Sequence, residues 1–264
     1  MKTLRESLLD IDSVQSGLEP ITIIKSWCKE NVKGRYKIDP KTLDINSNDN
    51  IEITNKDITE IPDYIHFGTV GGYFDCSDCK LTSLRGCPKI VSGNFNCFWC
   101  ENLTSLEGAP EKVGKNFHCS RCNNLTSLEG APKEVGGSFY CSNCDSLTSL
   151  KGVSEKIGDE FSCMGCEKLE MFEMNMKQVK TFNCNVCSKL KSLKGLPKKI
   201  SGSLKCSYCD SLTNLDGIPK EIDGHYVGMY NDKLNLTEQD VRKMSKIKGD
   251  VIISICPENP LAFS

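Results

Sequence analysis

Seven Cys-x-x-Cys pairs, beginning at Cys76, Cys97, Cys119, Cys141, Cys163, Cys184 and Cys206, follow one another in steps of 21, 22, 22, 22, 21 and 22 residues. No other feature restricts the fold of this chain as much. The flanking residues repeat with the same period: Phe139 to Leu150 matches Phe117 to Leu128 and Phe95 to Leu106 almost position by position. Self-similarity at a period of roughly 20 to 29 residues predicts a solenoid, in which no coil buries its apolar residues alone and stacked neighbours bury them together.

Within each repeat the Phe and the first Cys are two residues apart, as in Phe95 and Cys97, with polar or variable residues between them. That is strand periodicity, with both side chains on the inward face. Leu-Thr-Ser-Leu follows the second Cys, and then Gly-x-Pro in most repeats, as in Gly108-Ala109-Pro110, which turns the chain into a return leg. A Val or Ile (Ile90, Val113, Val135, Ile157, Val179, Ile200, Ile222) is expected to dip inward before the next strand. One repeat departs from the pattern, because Met174 and Met176 replace its Gly and Pro and it is a residue shorter. Two readings fit that stretch: an irregular turn, or a polarizable Met171 to Met176 patch that meets a partner.

The pattern Val-x-x-x-Phe-x-Cys-x-x-Cys-x-x-Leu resembles the leucine-rich-repeat signature, with Phe and Cys in two Leu positions and the second Cys in the Asn/Cys ladder position. More narrowly, the chain is similar to the Leu-Thr-Ser-Leu-Glu-Gly-Ala-Pro repeat proteins of gut bacteria and their phages. Six repeats have the ladder Cys followed by x-x-Leu, whereas the first, Cys79-Lys80-Leu81, is shorter. The resemblance covers about residues 51 to 235, and its motifs specify a fold rather than an activity. It implies an α/β-type repeat solenoid of mostly parallel strands with irregular convex turns, and a ligand held on the concave face. It also implies a bacterial or phage-encoded, cytoplasmic protein.

Three segments are expected: a helical and strand cap over 1–50, the solenoid over 51–235, and a helix-strand cap over 236–264. Leu4, Leu8 and Ile11 or Val14 suggest a first amphipathic helix, and Pro20 starts a second that carries Ile23, Ile24, Trp27 and Cys28. Trp27 is placed over the open end of the core. Short alternating runs follow at Tyr36 to Ile38 and Leu43 to Ile45, and residues 51 to 62 read as a degenerate first rung, with Ile53, Ile58 and Ile61 in the register of Cys76, Leu81 and Leu84. Residues 225 to 234 read as an eighth rung with Gly228 in the first Cys position. Thr237 is a fitting helix N-cap, with Val241, Met244 and Ile247 as the apolar face of that helix and Val251, Ile253 and Ile255 as a last strand.

Acidic and basic residues are interspersed and the formal net charge is -2, so nothing calls for nucleic acid. No secretory signal is expected, since the first ten residues hold acidic side chains and no continuous apolar core. The longest apolar runs, near Ile21 to Ile24 and Val251 to Ile255, are far short of the roughly 20 residues of a membrane span.

Of the 17 cysteines, only Cys28, Cys87 and Cys256 lie off the grid. Reduced thiols acting as small hydrophobes in the column fit their alternation with Phe. The sharpest rival is a zinc or iron-sulfur site, or a redox array, built from Cys76, Cys79, Cys97, Cys100, Cys119, Cys122, Cys141, Cys144, Cys163, Cys166, Cys184, Cys187, Cys206 and Cys209, because pairs from neighbouring rungs offer four sulfurs. A thioredoxin-like dithiol needs a helix start, and these pairs leave a strand. His66, His118 and His225 are scattered and no phosphate-cradling loop appears, so no enzymatic chemistry is expected.

Binding is expected on the strand residues between the buried ones. Most are small and polar, as in Asn94, Asn116, Ser138 and Ser142, but Phe98, Trp99, His118, Arg121 and Tyr140 are not. The repeat logic demands no exposed aromatic there, and binding hot spots are enriched in Trp, Tyr and Arg. Phe98, His118 and Tyr140 are expected at one strand position in successive rungs, with Trp99 and Arg121 sharing a turn position. The functions implied are a non-enzymatic scaffold for a protein or glycan, a metal-loaded or redox cysteine array, and a structural component of a phage particle.

Overall fold

A computed structural model describes residues 19–253 of the chain. Each coil contributes one short strand to a sheet of eleven, in which only the first, Val32–Gly34, runs antiparallel to its neighbour. The other ten are parallel and in strict register: Ile51 lies beside Phe74, Phe74 beside Phe95, and so on through Phe117, Phe139, Phe161, Phe182, Leu204 and Tyr226 to Val251. The molecule is therefore a parallel-strand β-solenoid of about ten turns.

The alternation that predicts these strands holds throughout, because Phe and the first Cys are buried in every Cys-containing coil with a Phe. Phe74, Phe95, Phe117, Phe139, Phe161 and Phe182 stack as one column, with neighbouring ring centroids 4.9 to 5.6 Å apart. Phe67 continues the column and Trp27 meets it edge-on at 6.5 Å. Trp27 belongs to helix α1 (Pro20–Asn31), which buries Ile24 and Cys28 in the same core. The residue 4 to 14 helix and Ile255 lie outside the described residues.

The return leg differs from the expected irregular turn. It is itself a two-residue strand in most coils, and these strands form a second parallel sheet through Ile90–Val91, Lys112–Val113, Glu134–Val135 and Lys156–Ile157. In the first of them Val91, not Ile90, faces inward: Val91 pairs with Val113, while Ile90 pairs with Lys112 and is 44% exposed. The second sheet stops at the methionine-containing coil, where one bridge, Lys156 to Gln178, is all that remains, and resumes at Lys199–Ile200. The neighbouring coils turn on Gly130, Gly152 and Gly195 with φ of +89°, +90° and +98°, where an added Cβ would run into the backbone of the preceding coil. Met174 carries such a Cβ, so its coil takes another path. The expected methionine patch is mostly internal, since Met176 is buried and Met174 packs on the core, leaving Met171 exposed.

From the second pair onward the second Cys has a repeated bond, whereas the Cys79 thiol of the first pair faces the Asn55 and Ser77 carbonyls instead. The thiol of Cys100 donates to the carbonyl of Cys76 at 3.2 Å, Cys122 to Cys97 at 3.3 Å, Cys144 to Cys119 at 3.4 Å and Cys166 to Cys141 at 3.2 Å. Cys187 and Cys209 continue the series, and in the eighth rung Asn231 takes the position, its amide donating to the carbonyl of Cys206 at 2.8 Å. Burial pushes the thiols of Cys97, Cys119 and Cys141 well above their ordinary range, and that of Cys79 up to about 12, so these sulfurs are neutral at pH 7.

Outside the core, exposed ion pairs join successive coils, among them Lys112 with Glu134, Glu129 with Lys151 and Glu155 with Lys177. Each contributes roughly 0 to 1 kcal/mol at an exposed site, so they favour register more than stability.

The eighth rung is set by a compensating pair. Tyr226 occupies the Phe position, its hydroxyl lies 3.4 Å from the Cys206 sulfur, and a Cβ on Gly228 would stand 2.5 Å from that hydroxyl. Beyond it Thr237 caps helix α2 (Glu238–Met244) as expected, with reciprocal bonds between Thr237 and Asp240. Of its expected apolar face Val241 and Ile247 are buried, but only Val241 lies on the helix. Met244 ends the helix at 49% exposure, and Ile247 belongs to the second sheet beside Ile222.

Two stability predictions arise. Cys144→Ala removes a buried thiol and unpairs the Cys119 carbonyl, and is expected to cost about 1 to 3 kcal/mol in urea unfolding. Cys87→Ala is expected to cost clearly less, because neighbouring coils hold Ala109 and Ala131 there; equal losses would contradict the ladder. Gly228→Cys alone is expected to cost about 1 to 3 kcal/mol by overpacking. Joined with Tyr226→Phe it recreates Phe-x-Cys and should recover most of that loss, a coupling that a double-mutant cycle measures.

Candidate functional site

The outward strand residues separate into those the solenoid consumes and those it leaves bare. Asn94 accepts from the Asn116 N–H at 3.1 Å, Asn116 from that of Ser138 at 2.9 Å, and Ser138 from that of Glu160 at 3.2 Å. One column over, Ser120 accepts from the Ser142 N–H at 3.1 Å, and the Ser142 and Ser162 hydroxyls lie 2.9 Å apart. These small polar residues are thus clips between coils, and Ser120, Ser138, Ser142 and Ser162 are buried rather than lining an open face.

The five candidate residues do come together. The Phe98 and His118 ring centroids are 5.2 Å apart at an interplanar angle of 29°, and His118 and Tyr140 are 5.3 Å apart at 60°. The expected shared position of these three is corrected by the register. His118 lies beside Tyr140 on one side and Asn96 on the other, so Phe98 sits two residues further along, level with Ser120 and Ser142. Its ring reaches back diagonally to close the row. Burial lowers the His118 pKa, opposed by the nearby Asp75 carboxylate, so the imidazole is neutral at pH 7.

Trp99 and Arg121 flank this row, with the Arg121 guanidinium carbon 5.3 Å from the Trp99 ring centroid, within cation–π range. Their outward aim has a backbone cause. The third residue of every Cys-x-x-Cys is left-handed, with φ between +55° and +74° at Asp78, Trp99, Arg121, Asn143, Gly165, Val186 and Tyr208. That conformation lets the N–H of Trp99 and of Arg121 reach the next coil's carbonyl at 2.9 Å. For an L residue it costs roughly 1 to 2 kcal/mol, which favours Gly or Asn. Trp99 holds it nonetheless and is 47% exposed.

Sequence reasoning overlooked Tyr208 and Tyr230. They occupy this same left-handed column, and their rings stack 4.6 Å apart at 17°. The signal was legible, because Tyr208 stands in Cys206-Ser207-Tyr208-Cys209 where Trp99 stands in its own pair.

The chemistry open to the site is recognition through faces and polar tips. The His118 ring nitrogens, the Tyr140 hydroxyl, the Trp99 indole N–H and the Arg121 guanidinium make no hydrogen bond to other described residues. Among the described residues no three His, Cys, Asp or Glu side chains converge as a group able to hold a metal ion, and no described helix is long and apolar enough to cross a membrane. No protein-family model, no curated protein and no solved structure matches the chain.

The left-handed column yields a direct test. Val186 is β-branched and exposed at a position where Asn143 and Gly165 stand in earlier coils. Val186→Asn is expected to raise stability by about 1 kcal/mol in urea unfolding. A loss instead would mean that the valine side chain packs well enough to offset its backbone strain.

Proposed function

We propose that this chain is a non-enzymatic binding scaffold that holds a protein or glycan on its strand face, with Phe98, Trp99, His118, Arg121 and Tyr140 as the contact residues. One observation carries the reading: three rings in contact in series, and a cation over a fourth, occupy a face where small polar side chains are committed to joining coils. A partner is the simplest reason to keep them there, because an exposed Trp99 beside the half-exposed rings of Phe98 and Tyr140 is a solubility liability and the solenoid closes its core without them. The ladder bond of the second Cys favours a leucine-rich-repeat type of coil. The resemblance to gut bacterial and phage repeat proteins favours a bacterial or phage-encoded origin.

The test is the double variant Trp99→Ala with Tyr140→Ala, compared with wild type as an immobilised bait in an extract of the cells that express the chain. Neither residue belongs to the buried column, so the thermal midpoint is expected to stay within a few degrees. Capture of the wild-type partner is expected to weaken by about 2 kcal/mol or more, roughly thirtyfold. Unfolding of the double variant would make these residues part of the core. Undiminished capture by a folded variant would place the contact face elsewhere.

A further inference from the structure

We propose that the aromatic row takes an extended, uncharged, β-linked glycan, one sugar to a coil; this names the ligand class of the binding face argued above and rests on that reading. The first ground is the pairing of ring faces with bare polar tips. His118, Tyr140, Trp99 and Arg121 each offer a flat face or plane together with an N–H or O–H that no described residue engages. A pyranose has the matching surface, with C–H groups on its faces and hydroxyls around its rim.

The second ground is repeat distance. The rings of Phe98, His118 and Tyr140, borne on three successive coils, have centroids 5.2 and 5.3 Å apart. An extended β-linked chain of pyranoses repeats at nearly the spacing of adjacent strands, roughly 4.8 Å, so successive sugars meet successive coils. Charge supplies the third ground. Asp75 lies in the same outward column as His118, Glu160 stands on the coil next to Tyr140, and Arg121 is the single cation of the group. A single-stranded nucleic acid or sulfated glycan calls for a groove of positive charge along its backbone, whereas the half-buried, neutral imidazole of His118 is suited to an uncharged ligand.

Calorimetric titration of the full chain with cellohexaose, chitohexaose, mannohexaose and xylohexaose tests this. At least one is expected to bind, and the disaccharide of that sugar, too short to span three coils, should bind at least about tenfold more weakly. Tyr140→Ala and Trp99→Ala are each expected to weaken binding by about tenfold or more, and Tyr140→Phe, which keeps the ring and the fold, by less. Ile90→Ala, exposed on the return-leg sheet, should leave binding unchanged. The proposal is overturned if none of the four hexasaccharides binds, if Tyr140→Ala binds as wild type does, or if heparin oligosaccharide or oligothymidine binds in their place. Glycosidase treatment of captured material separates the two levels of the argument. Capture that depends on Trp99 and Tyr140 but survives the treatment defeats the glycan and leaves the scaffold standing, whereas capture indifferent to both residues defeats the scaffold as well.

Discussion

Each coil of this chain can finish its structure only on the next one. A two-residue strand such as Phe117–His118 has too few hydrogen bonds to exist alone, and its phenylalanine would stand in water. Seated between Phe95–Asn96 and Phe139–Tyr140, the same strand bonds on both edges, and Phe117 lies between two other rings at 5.3 and 4.9 Å. Register is the shared requirement. A slip of one residue would turn Phe and Cys outward and the polar clips inward together. Asn94, Asn116 and Ser138 guard against that slip from the outer face, because each side chain accepts from the backbone of the coil that follows.

The cysteines serve the same requirement. At the inward strand position a thiol is small enough to share the core with the phenylalanine column, and burial keeps it protonated. At the ladder position it is a weak donor aimed at a carbonyl that the turn would otherwise leave unpaired. Asn231, which makes the equivalent bond at 2.8 Å, shows what the position requires: a donor of modest size pointing back one coil. The two sulfurs of one Cys-x-x-Cys therefore have different duties, and each is fitted to backbone and core around it.

Much of this was legible in the sequence because the repeat is nearly perfect. Period, inward positions and ladder role all follow from Phe-x-Cys-x-x-Cys, and Gly228 was identifiable as a first-Cys position. What escaped were features that a column of letters does not encode. The return strands are two residues long, too short for alternation to show, so a second sheet looked like an irregular turn. Ile90 drew attention as an apolar residue although the four-residue spacing to Phe95 selects Val91. The assignment of Phe98 to the His118 position failed by a count of two residues. The rings nevertheless meet, since a phenylalanine side chain spans the diagonal between adjacent coils.

The backbone also decides where such a solenoid can vary. Inward positions are constrained by volume, and the outer strand positions by hydrogen bonds to the next coil. The left-handed residue between the two cysteines is constrained mainly in its backbone: its N–H is bonded to the next coil, while the side chains of Trp99, Val186 and Tyr208 there are exposed. Glycine would satisfy that geometry at the least strain, and one coil does use Gly165. Tryptophan, arginine and tyrosine carry a conformational cost there that glycine avoids, and their rings and guanidinium gain little core burial in return. Side chains retained at a cost to backbone energy, on a column that the core does not need, are best explained by what they meet outside the molecule.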